Sequence, residues 1–249
     1  MCYSFEYDEE IIEPLSESIQ TLKFGYYFNK SLVGKLPKKL IQLILNYGYD
    51  LDLKGALPST LKYLTIDGWY TYTLTGCLPD SLIELNLNLR IFSEFSIFPS
   101  NLLKLRIFYD EYYPVKSDHF PPNLTYLDYN GPIDCQLPNS LISLTLYATN
   151  INESIYKFLP KSIKFLYLFD FHSMYTYSSL YPSGIDIYKN FIKNIPNNIE
   201  YIELANYSYL QYFPNEIHQI EINNFHKIIE SNLHHHFSEN SLYFVRNKE

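Results

Sequence analysis

A ten-residue block, Leu-Pro-x-Ser-Leu-x-x-Leu-x-Leu, recurs along the chain and limits what it can fold into. It opens at Leu36-Pro37, Leu57-Pro58, Leu78-Pro79, Phe98-Pro99, Phe120-Pro121, Leu137-Pro138, Leu159-Pro160, Ile195-Pro196 and Phe213-Pro214. A degenerate copy begins at Leu15, with Ser16 in the proline place. Successive prolines stand 21, 21, 20, 22, 17, 22, 36 and 18 residues apart. Self-similarity at a short fixed period marks a stacked-repeat architecture.

Each block has a physical reading. Its Leu-x-Leu end alternates apolar and polar residues, the period of a strand with one buried face. Proline lacks an N–H and fixes φ, so it belongs just outside the strand. Gly34, Gly55 and Gly76 precede three of the Leu-Pro pairs and permit a tight or left-handed turn. A period near 21 leaves about ten residues for the return, too few for a crossover helix. The return is therefore extended, turn-like or 3₁₀. The expected fold is β-rich. It is a single right-handed parallel β-solenoid of about ten repeats with few or short helices.

These blocks resemble leucine-rich repeats of the FNIP type, found in Dictyostelium-like amoebae and in giant viruses that infect amoebae. The resemblance covers residues 15–224. It implies a repeat scaffold and, for a viral member, a place in the host cytoplasm. Members of that family often look like F-box proteins that recruit a ubiquitin ligase. Here residues 1–14 precede the first unit and read as an N-terminal cap. The family role most open to this chain is that of a substrate-recognition adaptor without its own F-box. The blocks also resemble the short Leu-Pro repeats of bacterial effector ligases, which end in a catalytic domain. Only residues 225–249 follow the last block, and they read as a C-terminal cap.

If the leucines face the core, the alternate positions line the concave face. Those positions carry Tyr63, Thr65 and Asp67, then Glu84, Asn86 and Asn88, then Lys104, Arg106 and Phe108. Further on come Tyr126, Asp128 and Asn130, then Ser143, Thr145 and Tyr147. The block at Leu159 is unlike the rest, with Phe165, Tyr167 and Phe169 at all three places. Exposed contiguous apolar patches mark interaction sites, and tyrosine supplies strong contacts. Tyr126, Tyr147, Phe165, Tyr167, Phe169 and Tyr201 are therefore the expected partner-binding residues. The competing reading is that an aromatic-rich chain, with 26 Tyr and 17 Phe, scatters rings without purpose.

Two segments break the period. Between Pro160 and Pro196 lies an insertion at about 170–192. Ile185, Tyr188, Phe191 and Ile192 recur there at helical spacing and predict a short helix near 184–193. A degenerate extra unit at Tyr181-Pro182 is the alternative. In the C-terminal cap, Phe225, Ile228, Ile229 and Leu233 fall on one helical face, and residues 241–245 can pair as a closing strand.

Composition excludes several activities. The 19 basic against 27 acidic residues give a net charge of −8, which disfavours nucleic acid and anionic membranes. No apolar run is long enough to span a bilayer or to serve as a secretory signal. Cys2, Cys77 and Cys135 show no metal spacing. His234, His235 and His236 are consecutive and cannot all face one ion. Asp110 and Glu111 read as solvated loop residues, and His172 and Asp186 are the groups that a hydrolase site at the insertion would bring together. The expectation is a monomeric, cytoplasmic, non-catalytic scaffold with no cofactor and no metal, binding a protein through its concave face and the 170–192 insertion.

Overall fold

The computed structural model describes residues 2–5, 10–68, 70–89, 98–109, 116–147, 155–169, 196, 198–204, 225–228 and 242–246. The chain forms two compact units, Met1–Gly131 and Pro132–Glu249.

In the first unit, β1 (Cys2–Phe5), β2 (Thr21–Phe24), β3 (Gln42–Leu45), β4 (Tyr63–Asp67), β5 (Glu84–Leu89), β6 (Lys104–Tyr109) and β7 (Tyr126–Tyr129) pair in sequence order, all parallel. The register sets Thr21 beside Gln42, Gln42 beside Tyr63, Tyr63 beside Glu84, Glu84 beside Lys104 and Lys104 beside Tyr126. The strands therefore keep the same pace as the prolines. Cys2 lies beside Thr21, so residues expected only to cap the array contribute a strand of their own.

The block folds as a turn that delivers its leucine to the core. Leu40, Leu61, Leu82, Leu102 and Leu124 each donate their N–H to the carbonyl of the proline three residues back. Ile19 makes the same bond to Ser16, so the turn forms without proline. The Ser place has its own task. Thr60 Oγ1 donates to the Lys38 and Leu40 carbonyls, and Ser81 Oγ donates to the Leu61 carbonyl. Asn101 and Asn123 donate to the carbonyls of Asp80 and Ser100. A short polar side chain thus satisfies backbone acceptors of the preceding repeat, which stacking would otherwise bury.

Inside the sheet, Leu22, Leu43, Leu64, Leu85, Leu105 and Leu127 form one row and Phe24, Leu45, Ile66, Leu87, Ile107 and Tyr129 the next, all buried. Each such side chain contributes about 1.5–3 kcal/mol by leaving water, and only the neighbouring repeat supplies the cover. Behind them, Phe28, Tyr49 and Tyr70 stack at centroid distances of 6.2 and 6.5 Å, nearly parallel, one ring per repeat. Gly34, Gly55 and Gly76 all have φ of 71°, with open space where a Cβ would stand. Their requirement is conformational and not steric.

The second unit holds β8 (Ser143–Tyr147), β9 (Phe165–Phe169), β10 (Tyr201–Leu204), β11 (Phe225–Ile228) and β12 (Leu242–Arg246). β8, β9 and β10 are parallel neighbours, with Ser143 beside Phe165 and Phe165 beside Tyr201. The proline turns recur at Leu141, Ile163 and Ile199. The step from Phe165 to Tyr201 equals the step from Pro160 to Pro196, so the intervening chain leaves the ladder undisturbed.

The closing strand expected at 241–245 is present as β12, antiparallel to both β10 and β11. The helical reading of the C-terminal cap is corrected at Phe225–Ile228, which is a strand. A pairing partner on each flank of β12 satisfies the ladder there and outweighs the helical spacing of the apolar residues. The insertion at 170–192, its expected helix at 184–193 and the block opening at Phe213 lie outside the described residues, as do Asp110, Glu111 and the three consecutive histidines. Among the described residues helix is confined to 3₁₀ turns at Ser117–His119 and Ile155–Lys157. The fold is the expected β-rich parallel solenoid. The count of repeats differs at the ends: β1 adds one, and β12 takes the place beside β10.

Candidate functional site

The outward strand positions of the first unit form rows across the sheet. Gln42, Tyr63, Glu84, Lys104 and Tyr126 make one, and Ile44, Thr65, Asn86, Arg106 and Asp128 the next. Most of these side chains bind one another. Asn86 Nδ2 donates to Glu84 Oε1 at 3.1 Å and lies 3.4 Å from Thr65 Oγ1. Lys104 Nζ stands 3.8 Å from Glu84 Oε2. Arg106 Nε donates to Asp128 Oδ2 at 2.8 Å, and its Nη2 donates to the Tyr126 hydroxyl at 3.3 Å.

The sequence placed Asp128 on the solvent side, but it keeps only 4% of its surface. Arg106 and Tyr126 lie over it and close the contact. Burial lowers the Arg106 pKa, but the Tyr126 hydrogen bond and the Asp128 charge prevail and raise it. Tyr126, expected to meet a partner, is half-buried in this network. Thr145 in the second unit is likewise buried at an outward position.

The remaining expected residues belong to the second unit. Phe165 is 38% exposed, and Tyr147 and Tyr167 are partly exposed. The register sets Tyr147 beside Phe169 and Thr145 beside Tyr167. Tyr201 corrects the sequence reading: it retains 9% of its surface. Its ring packs 6.2 Å from Phe165 and 6.0 Å from Tyr167, and these neighbours remove it from water. The described rings thus make a cluster of three, with Phe165 its most open member.

Another aromatic group was missed. Tyr26, Tyr27, Tyr47 and Tyr72 are all exposed, at turns that follow the strands of the first unit. Tyr26 and Tyr47 stack at 5.1 Å with their rings 8° from parallel. Their 21-residue separation was the available signal, lying just beyond the block used to find the repeat. The pattern of strand residues ends before it reaches them.

The described polar groups do not assemble a catalytic arrangement. His119, the histidine of the first 3₁₀ turn, accepts the Lys116 N–H at Nδ1, and burial lowers its pKa. Cys77 and Cys135 are in no disulfide, and burial raises the pKa of Cys77. Among the described residues no group of three His, Cys, Asp or Glu could hold a metal ion. No helix among them is long and apolar enough to cross a membrane. Two asparagines serve the fold: Asn29 Oδ1 accepts the Asp50 N–H, and Asn123 Nδ2 donates to the Ser100 carbonyl.

Residues 7–48 match the FNIP Repeat family, the repeat type that the blocks resemble. No curated protein matches the chain. Among solved structures it is similar to CroV588, described as a novel circular LRR protein structure, at 23% identity and a TM-score of 0.45. That likeness covers 67% of this chain and 33% of CroV588, so the match spans about a third of that protein's length.

Proposed function

We propose that the chain is a non-catalytic scaffold that binds a protein partner on the outward face of its second unit. Phe165 and Tyr167 are the anchors, Tyr147 extends the surface, and Tyr201 supports both anchors from beneath. Phe169 adjoins them at the end of β9. The insertion at 170–192 follows directly in sequence and contributes to the same contact.

The observation that carries this reading is Phe165, a phenylalanine 38% exposed at an outward strand position and backed by Tyr201. A partner that covers it gains apolar burial with little side-chain ordering, because the ring already rests on its neighbours. The first unit offers less at Tyr126, whose hydroxyl is engaged by Arg106.

The test is affinity capture with the whole chain, comparing the native sequence with Phe165→Ser/Tyr167→Ser. Circular dichroism establishes that both are folded. A partner held by the native chain and released by the double variant supports the reading. Capture that is unchanged defeats it. Ligase subunits among the captured proteins extend the role to a ubiquitin-ligase adaptor.

A further inference from the structure

The first unit carries a second surface, independent of the one above. It begins with two glycines. A Cβ built on Gly48 would stand 2.7 Å from the Tyr26 carbonyl oxygen and 2.9 Å from the Tyr27 Cα. One built on Gly68, where φ is 133°, would stand 2.4 Å from the Tyr47 Cα and carbonyl oxygen. Successive turns therefore close on each other more tightly than any other residue allows. The Gly48 N–H donates to the Tyr26 carbonyl at 2.8 Å and fixes this approach.

The close approach gathers rings and one charge. Tyr26 and Tyr47 stack as parallel plates, and Tyr27 stands edge-on to Tyr26 at 4.9 Å. Tyr26 and Tyr27 expose 51% and 72% of their surface, so the cluster is open to water. Asp67 directly precedes Gly68, which touches Tyr47, and it follows Ile66, whose register partner Leu45 lies two residues before Tyr47. Among the described residues the carboxylate accepts one hydrogen bond, from Asn88 Nδ2 at 2.9 Å. That donor is neutral. Two other described outward acids stand with cations, Glu84 with Lys104 and Asp128 with Arg106. Among the described residues Asp67 has no such cation.

We propose that Tyr26, Tyr27, Tyr47 and Asp67 form a docking site for an arginine side chain of a peptide partner. The chemistry selects that occupant. A planar guanidinium lies flat on an aromatic face and presents its N–H fork to a carboxylate at the ring edge. Lysine offers a point charge without the flat face, and a neutral side chain leaves Asp67 without a counter-charge. The net charge of −8 favours approach of a basic segment.

The test uses the whole chain and three synthetic peptides: Gly-Arg-Gly-Arg-Gly and the same sequence with Lys or Gln for Arg. Binding is followed by isothermal titration at low salt. The arginine peptide is expected to bind most tightly, with the glutamine peptide showing no binding. Asp67→Asn should weaken the arginine peptide about tenfold, the worth of a charge-assisted hydrogen bond. Tyr26→Leu should weaken it about two- to fivefold, as for an exposed cation–π contact. Asp80→Asn, an exposed acid on another turn, removes the same charge and should change nothing. Equal weakening by Asp67→Asn and Asp80→Asn would reduce the effect to overall charge and overturn the site. So would equal affinity for arginine and lysine peptides, or no binding by the native chain. These side chains are exposed, so the variants retain the fold, and circular dichroism checks it.

Discussion

The two units use the same block and use its outward positions in opposite ways. In the first unit, Glu84, Asn86, Lys104, Arg106 and Asp128 bind one another across the strands. In the second, the matching positions of β9 and the start of β10 carry Phe165, Tyr167 and Tyr201, beside Ser143 and Thr145 on β8. The inner sides reverse the pattern. The first stacks Phe28, Tyr49 and Tyr70 inside, while the described core of the second is Leu and Ile from Ile133 to Ile199. A polar row that satisfies itself gives a partner little to gain, because its hydrogen bonds are already made. An aromatic row leaves apolar area to be covered. The proposed function therefore rests on the positions that the fold leaves open, and the block that builds both units is silent about it.

The sharpest way to break this comparison is to show that the cores differ in kind. Leu85→Ala in the first unit and Leu166→Ala in the second each remove a fully buried leucine. Each should destabilise its unit by about 3 kcal/mol. Urea unfolding followed by hydrogen exchange reads the two units separately. The loss should stay in the unit that carries the change, since a repeat contacts only its neighbours. The longer step between β9 and β10 adds only about 0.5 kcal/mol of loop entropy.

Arg106→Ala comes next. It leaves the Asp128 carboxylate, 4% exposed, without its cation. The expected loss is about 2 kcal/mol, below that of a fully buried pair because Arg106 is half exposed. Adding Asp128→Ala should restore much of it. Phe165→Ala should cost less than about 1 kcal/mol, since the ring is partly exposed. If thermal melts ranked these two changes the other way, the assignment of structural and displaying faces would be reversed.

Much of this was legible in the sequence. The proline spacing gave the strand register residue for residue, because a turn that ends each repeat leaves no freedom to slip. It also gave the inward row, which Leu64, Leu85 and Leu105 fill. The outward row was harder. Alternation says which way Asp128 and Tyr201 point, and it does not say what lies over them. Asp128 is covered by a neighbour's arginine and Tyr201 by two rings, and both depend on residues about 20 to 36 positions away. Tyr26 and Tyr47 fell outside the block, in turns whose geometry rests on Gly48 and Gly68.

A smaller effect separates the motif's hydrogen bonds from its spacing. Ser81→Ala in the first unit and Asn198→Ala in the second remove bonds of 2.7 and 2.6 Å to the preceding repeat. Each should cost about 1 kcal/mol by chemical denaturation. Ser162 holds the same place, and its buried hydroxyl meets no hydrogen-bond partner among the described residues. Ser162→Ala should therefore be neutral or slightly stabilising. A loss at Ser162 equal to that at Ser81 would mean that the place demands a small polar residue for some other reason.

The least effect near neutral pH, and the most informative about the inner faces, belongs to Tyr49→Phe. The Tyr49 hydroxyl is buried without a hydrogen-bond partner among the described residues, so its removal should shift stability by less than about 0.5 kcal/mol. High pH is different. Burial, and then the Asp52 charge, raise the Tyr49 pKa well above its ordinary value. The folded state then holds its proton when the unfolded chain, at about pH 10, begins to release it. The unfolded state binds fewer protons there, so stability falls as pH rises through 10 and upward. Tyr49→Phe removes that contribution, and its stability curve should lie above the native one in alkali while the two coincide at pH 7. Hydrogen exchange at alkaline pH should show the repeats around Tyr49 loosening in the native chain and staying closed in Tyr49→Phe. Curves that coincide in alkali would contradict the burial of that ring.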